Sequence, residues 1–423
     1  MSYSFVVPAA TSLQHNPDEP AHYAYIQHLS SGHLPVFKAM PGYYEGHQPP
    51  LYYLICVLPY ILLHGLGDSF CEHAIRLVSM LIGLLTVVVS WLAVKNLFPE
   101  DLWLRLSVAA YIAVLPSFDN LSASVSNDTL TILLTTICLW QLPQLRNDRL
   151  AKLNLRAASP IIVLGLVIGA GILTKTSGVI VIPAVLFCTF LPTELPSYSI
   201  AQRLKVGAIC CGTALAISLP WLIRNKMIYG SFLASSVIKS FEKTNVTAAA
   251  MVYWKFKTPL AYLIGVSHWA FASWWGVFDA EHLFWGNSYS QPQQDVLAPL
   301  PSVYSVIFVV AVASVIGLIL ADKKKVVQFT PAQTTIMRAM MITIAVNLIS
   351  FIAFNLTFFQ PQARYLYPSI LPISILFLLG WRGWTTNKAA LWSITTFIVC
   401  ALVALNVYTI AFQMTPRFAG MSQ

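Results

Sequence analysis

Hydrophobic residues along this chain fall in long unbroken blocks, without the polar position every three or four residues that marks a helix lying on a water-facing surface. The clearest blocks are 77–94, 103–118, 128–143, 160–174, 178–191, 206–223, 301–321, 336–357, 366–381 and 390–412. Each predicts a helix, because a segment in hydrocarbon must satisfy its backbone polar groups internally, and about 20 residues cross a ~30 Å core. Blocks 160–174 and 178–191 are short for a perpendicular crossing, which leaves a re-entrant pair open there. Segment 51–67 (LYYLICVLPYILLHGLG) is the ambiguous one.

Composition removes the soluble alternatives. The 423 residues are 57% hydrophobic and 10% charged, with a mean hydropathy of +0.69, whereas soluble domains carry about 25% charged residues. The expectation is an all-α polytopic membrane protein of about ten transmembrane helices. It is read as one domain over 1–423, since no repeat, low-complexity tract or soluble tail marks a second. Six of the seven cysteines fall inside apolar blocks, with Cys71 expected in water, so no disulfide framework is read.

The formal charge of +9 does not indicate nucleic acid, because the 25 Lys and Arg punctuate the apolar blocks and form no basic face. Their placement orients the chain instead. If 51–67 lies along the membrane or is re-entrant, 14 of the 25 fall in short loops on one side, including the cluster Arg146, Arg149, Lys152 and Arg156 and the run Lys323, Lys324, Lys325. That side is expected to be cytoplasmic, and 11 of the 16 acids then face outside. Residues 11–76 become a first external loop and 224–300 a large one. Residues 4–10 are too short to span, so a first transmembrane helix ahead of Thr11 is expected to be missing.

Candidate chemistry collects on the external side. Asp18 and Glu19 precede Pro20 at the start of a short helix, where Asp18 could be an N-cap or, with Glu19 beside His22, a general base and its orienting partner. Glu45 and His47 offer a hydrogen-bonding or metal-ligand pair just before Pro49 and Pro50, or simply sit in an interfacial aromatic belt. Asp128 heads an apolar block, as a cap or as a third acid. Lys175, Arg224 and Arg364 lie at similar depths, where they could snorkel to headgroups or bind a phosphate arriving through the bilayer.

Several of these residues sit in short motifs whose order along the chain resembles the polyprenyl-phosphate-sugar-dependent glycosyltransferases of the GT-C fold. Nearest in character are the dolichyl-phosphate-mannose–protein mannosyltransferases and the transferases that place aminoarabinose on lipid A. The motifs are Asp18-Glu19, His47-Gln48-Pro49-Pro50-Leu51, Arg76-Leu77-Val78-Ser79, Asn127-Asp128-Thr129-Leu130, Leu173-Thr174-Lys175 and Gln362-Ala363-Arg364-Tyr365, spread over residues 17–381. The resemblance implies a GT-C-like bundle with juxtamembrane helices in its external loops. It also implies inverting transfer of a sugar from a polyprenyl-phosphate donor to an acceptor hydroxyl on a glycan, protein or glycolipid, outside a bacterial or archaeal plasma membrane.

By the same resemblance Asp18, with Glu19, is the catalytic acid pair, and Lys175, Arg364, Arg76, Arg224, Tyr365 and Gln48 bind the lipid phosphate and sugar. A divalent metal is an open possibility, with Glu45, His47 and Asp128 as ligands. Gln48 departs from the lysine of the lipid A relatives. Trp269, Trp274, Trp275, Asp279 and His282 in the 224–300 loop are expected to form an aromatic lid or an interfacial belt. The rival reading is a transporter or flippase, which should carry ionisable residues mid-membrane; here the charges stand at the block edges.

Overall fold

A computed structural model of the chain describes residues 18–414 except 39, 41, 147–154, 191–198, 235–236, 238–246 and 277–301. Its helices in chain order are α1 Glu19–Ser30, α2 Leu51–Leu63, α3 Asp68–Leu97, α4 Leu102–Ala113, α5 Pro116–Ser122, α6 Asp128–Gln141, α7 Leu155–Thr174, α8 Ile182–Phe190 and α9 Ile200–Tyr229. They continue with α10 Pro259–Trp275, α11 Ser302–Lys323, α12 Pro331–Thr357, α13 Ile370–Trp384 and α14 Lys388–Tyr408. No strand forms among the described residues.

Among the described residues six helical segments are long and apolar enough to cross a membrane, and a seventh is reached if α4 and α5, bent by 61°, count as one. The 103–118 block is thus broken. Pro116 opens α5 and the preceding Leu115 is extended, the conformation that a following proline favours. Helices α3, α9, α11, α12 and α14 expose large apolar side chains such as Leu81, Leu84, Leu215, Val309, Ile349 and Phe397, the surface that lipid covers. Helix α13 is the buried member of the bundle, with 78% of its apolar window inside. It meets α11 through Gly317, Gly380 and Gly383, where a Cβ at any of the three would run into the opposing backbone.

Segment 51–67 forms α2, whose 13 residues extend only about 20 Å. It packs Tyr52, Tyr53 and Cys56 inward and leaves Leu54, Leu58, Ile61 and Leu62 outward. A face of aromatic residues and a face of aliphatic ones suit a helix lying at the rim of the bundle. Together with α1 and the outer end of α3 it makes a second apolar cluster, separate from the main core, around Tyr23, Tyr25, Tyr52, Tyr53, Ile75 and Val125.

Two expectations fail here. Cys71 is fully buried in that second cluster, while Cys211 and Cys400 are the exposed ones, on the apolar outer faces of α9 and α14. Trp269, Trp274 and Trp275 form neither a lid nor a belt. All three are buried on α10, with Trp274 Nε1 donating to Tyr111 Oη at 3.1 Å and its carbonyl accepting from Tyr367 Oη at 2.8 Å. Their neighbours mix apolar residues with Ser267, His268 and Ser273, a pattern that a core helix and an interfacial one share. Asp279 and His282 lie outside the described residues.

Candidate active site

Asp18 occupies the N-cap position of α1 without capping it. Its backbone is left-handed (φ 62°), and no side-chain bond reaches the helix amides. The carbonyl accepts from the amides of Ala21 and His22, both at 3.0 Å, while the carboxylate is turned away. One carboxylate oxygen accepts from Tyr44 Oη at 3.3 Å and the other from Arg364 Nη2 at 2.7 Å. A non-glycine residue in this region is strained, and such strain concentrates at functional sites. This backbone turns the carboxylate away from its own helix and toward Arg364.

The carboxylate of Asp128 behaves likewise. Asn127 takes the N-cap position of α6 without a side-chain cap, and Asp128, first residue of the helix, forms an ion pair with Lys175. Arg364 Nη1 stands 3.9 Å from the other Asp128 oxygen. Asp18, Arg364, Asp128 and Lys175 therefore form an alternating chain of charges. Tyr365 backs its cations: the Lys175 amine lies 5.2 Å and the Arg364 guanidinium 5.1 Å from its ring centroid, and its hydroxyl accepts from Arg364 Nη2 at 3.2 Å.

Lys175 reaches this place because the chain reverses there. It sits extended between α7 and the tight turn Thr176–Val181, and Gly178 lies so close to Gly171 that a Cβ would enter the Gly171 backbone. Asn127 ties the neighbouring segments together, donating to the Thr174 carbonyl at 3.2 Å and to Gln48 Oε1 at 3.4 Å. Gln48 thus contributes an amide to a neutral bridge at the edge of the charged chain.

Glu19 and Arg76 are separated from this arrangement. Arg76 is fully buried and grips Glu19 with two bonds, Nε to Oε1 at 3.0 Å and Nη2 to Oε2 at 3.1 Å. Glu19 Oε1 also accepts the Val125 amide at 2.8 Å. The pair joins α1 to α3 and to the loop leading into Asp128, so it shapes the site from behind. Arg224 is used similarly: Nη2 donates to the Pro35 carbonyl at 2.7 Å, and Tyr229 Oη accepts from the Phe37 amide at 3.0 Å, fastening the 32–47 loop to the end of α9. Asp119 lies apart, accepting from Asn406 at 3.3 Å.

The metal trio read from the sequence, Glu45, His47 and Asp128, is not what converges. Asp18, His22 and Glu45 do, each offering an atom within 4.8 Å of the other two. His22 lies one turn beyond Asp18, the i, i+4 spacing that puts two side chains on one face. Its Nδ1 bonds Tyr53 Oη at 2.7 Å, which leaves Nε2 for a ligand if Nδ1 carries the proton, and Tyr53 stacks on Tyr25 at 3.8 Å between ring centroids. Glu45 is buried, and its Oε2 has no hydrogen-bond partner among the described residues. An orphaned carboxylate oxygen facing a histidine and a second acid fits a divalent cation, and a mixed O, O, N set suits zinc or manganese. His47 instead bonds the Tyr44 carbonyl through Nδ1 at 3.0 Å.

These environments set the protonation states. Burial opposes ionisation of Asp18, but Arg364, with His22 and Lys175 behind it, holds the carboxyl below the usual range. Burial, with the Asp18 charge adding to it, raises Glu45. Burial lowers His22, against the pull of Glu45 and Asp18, and pushes His47 down to about 4. Both histidines are neutral at pH 7. Tyr44 and Tyr53, which bond Asp18 and His22, are not among the site residues expected from the sequence. The run of tyrosines at 43, 44, 52 and 53 beside the acids was the signal available.

Residues 47–223 match the sequence profile of a family described as dolichyl-phosphate-mannose-protein mannosyltransferase. A search of curated proteins finds no match. Among solved structures, ArnT of Cupriavidus metallidurans in the apo state superposes with a TM-score of 0.52 at 16% identity, covering 97% of this chain and 63% of that one. The same protein bound to undecaprenyl phosphate gives 0.51 at 16% identity, covering 98% and 71%. The apo oligosaccharyltransferase of Archaeoglobus fulgidus gives 0.56 at 13% identity, covering 98% and 55%. That enzyme has also been solved with an inhibitory peptide and a dolichol-phosphate. The chain spans between about half and two thirds of the length of these proteins and shares their fold.

Proposed function

We propose that this chain, a polytopic membrane protein with the GT-C glycosyltransferase fold, transfers a sugar from a polyprenyl-phosphate donor to an acceptor hydroxyl, with inversion, at the external face of the membrane. The observation that carries the reading is the chain Asp18–Arg364–Asp128–Lys175: a carboxylate beside two cations, at the edge of a lipid-facing bundle. Glycosyl transfer from a lipid phosphate needs these elements. The bond to the anomeric carbon breaks toward an oxocarbenium-like transition state, and charge builds on the departing phosphate. A phosphate leaves without protonation, so cations matter more than an acid.

In this assignment Asp18 takes the proton of the acceptor hydroxyl as its oxygen attacks the anomeric carbon from the side opposite the phosphate. Arg364 and Lys175 receive the phosphate, and the ring of Tyr365 keeps them in place. Asp128 holds Lys175, and Asn127 with Gln48 closes the neighbouring edge. The Glu19–Arg76 pair positions both acids, with no part in proton transfer. A divalent cation, if bound, would be held by Asp18, His22 and Glu45 and would supply further positive charge for a phosphate oxygen. Binding of undecaprenyl phosphate by ArnT, and of dolichol-phosphate by the archaeal oligosaccharyltransferase, supports the donor class. The acceptor is a glycan, a protein or a glycolipid.

The test is turnover. The purified chain is incubated with radiolabelled polyprenyl-phosphate sugars and a membrane extract as acceptor source, with and without EDTA, beside Asp18→Asn. Asparagine preserves shape and tolerates the left-handed backbone. Loss of label from the lipid by wild type, reduced at least about 100-fold in the variant, is expected from removal of a general base. Equal turnover by Asp18→Asn would overturn the base assignment. Wild type that turns over no donor but moves the lipid-linked sugar across a vesicle membrane would favour a flippase.

A further inference from the structure

The cations assigned to the lipid phosphate are already occupied. Arg364 bonds Asp18 at 2.7 Å and Lys175 is ion-paired to Asp128, so the four groups sum to no net charge and offer an arriving phosphate no uncompensated cation. Yet Arg364 is not fully satisfied. Its side chain is 10% exposed, and its Nε–H is buried with no acceptor among the described residues. A guanidinium with an idle donor inside an ion-paired chain is an anion site with a stand-in in it.

We propose that Asp18 and Asp128 are exchangeable place-holders for the donor phosphate: its oxygens displace the two carboxylates from Arg364 and Lys175, and the carboxylates reclaim those cations to expel the lipid phosphate product. This rests on the donor class proposed above and adds how the site is loaded and emptied.

Exchange requires that neither partner depend on the other, and the structure meets that on both sides. Both cations lie over Tyr365, and Arg364 also bonds its hydroxyl, contacts that persist when a carboxylate lets go. Each acid has a second support. Asp128 is the first residue of the 14-residue α6, where the helix dipole favours a negative charge, and Asp18 keeps the Tyr44 hydroxyl. Released from Arg364, Asp18 has a carboxylate oxygen free for the acceptor hydroxyl. The base is therefore freed only when a donor is in place.

Charge also explains the return. The donor is a phosphodiester with one negative charge, whereas the product is a monoester carrying about −1.5 to −2 at neutral pH. A site of bare cations would hold the product more tightly than the donor and stall. Carboxylates competing for the same cations offset that preference, and no covalent step is involved in the exchange.

The experiment measures affinity without turnover. Wild type, Asp128→Asn, Asp18→Asn and Lys175→Met, each purified whole, are titrated with farnesyl phosphate, with farnesol as the uncharged control and inorganic phosphate as a third arm, followed by tryptophan fluorescence. Both asparagine variants should bind farnesyl phosphate more tightly than wild type, by roughly fivefold or more from removal of one competing charge, and Lys175→Met more weakly. Asp18 is a third exposed, so its variant keeps the question open to test should Asp128→Asn fail to fold. Unchanged or weakened binding in the folded asparagine variants would mean that the carboxylates brace the cations, and would overturn the proposal while leaving the donor class standing. Farnesyl phosphate binding no better than farnesol in every variant would overturn the donor class itself. Tightening by inorganic phosphate alone would make the site one for a free anion and would also defeat the proposal.

Discussion

Asp18 and Glu19 are adjacent in sequence and have opposite environments. Asp18 is a third exposed and faces Arg364; Glu19 is buried and enclosed by Arg76 and the Val125 amide. Asp18, left-handed at the N-cap, and Glu19, the first helical residue, turn to different sides, so only one of them faces the cations. Choosing which required the positions of residues 57 and 346 places away along the chain. His47 provides a residue-level prediction. Its folded value of about 4 lies below the ordinary 6.5, so as pH falls through 6.5 the unfolded chain takes up the proton first. Stability from this group is complete above pH 6.5 and is lost as pH drops toward 4. Thermal unfolding of His47→Gln should show a flatter dependence on pH over that window than wild type; parallel profiles would show that the histidine contributes nothing.

Short connecting elements carry the site, while the long helices supply the walls. Helix α1, the turn at Lys175, the start of α6 and the segment Ala363–Ser369 each deliver one charged group. The Glu19–Arg76 pair binds the first of these to α3. Removing one partner of a buried ion pair leaves the other uncompensated, at a cost of about 3–5 kcal/mol. Glu19→Gln is therefore expected to lower the unfolding temperature clearly and to lower activity with it, whereas Asp18→Asn should lower activity with little change in unfolding. Comparison of the two by fluorescence-monitored melting and donor turnover checks the division. A catalytic Glu19 would instead lose activity without losing stability. Apolar block boundaries showed where these connectors fall. They did not show that α2 packs an aromatic face onto α3, because the amphipathic contrast in α2 is between tyrosines and aliphatic residues, both counted as hydrophobic.

For the whole molecule, the sorting of basic residues implies that the charged chain and the 32–47 loop face outside and that Lys323 to Lys325 face the cytoplasm. In a background lacking cysteine, a cysteine placed at Gly32 should react with a membrane-impermeant maleimide in intact cells, and one at Lys324 only after permeabilisation. The reverse pattern would invert the topology. That the chain is a helical membrane protein was settled by composition and block length, since hydrocarbon leaves the backbone few choices and the signal is summed over some 20 residues at a time. The acids and cations at the block edges were legible for the same reason: a charge beside an apolar block is conspicuous. Which of them meet was decided by tertiary structure alone. Pairings such as Asp18 with Arg364, or Asp128 with Lys175, depend on the packing of α6 against α7 and against the Ala363–Ser369 segment. Close packing of near-featureless apolar faces is set by shape, and glycine contacts such as Gly317 with Gly380 record that shape only once the helices have met.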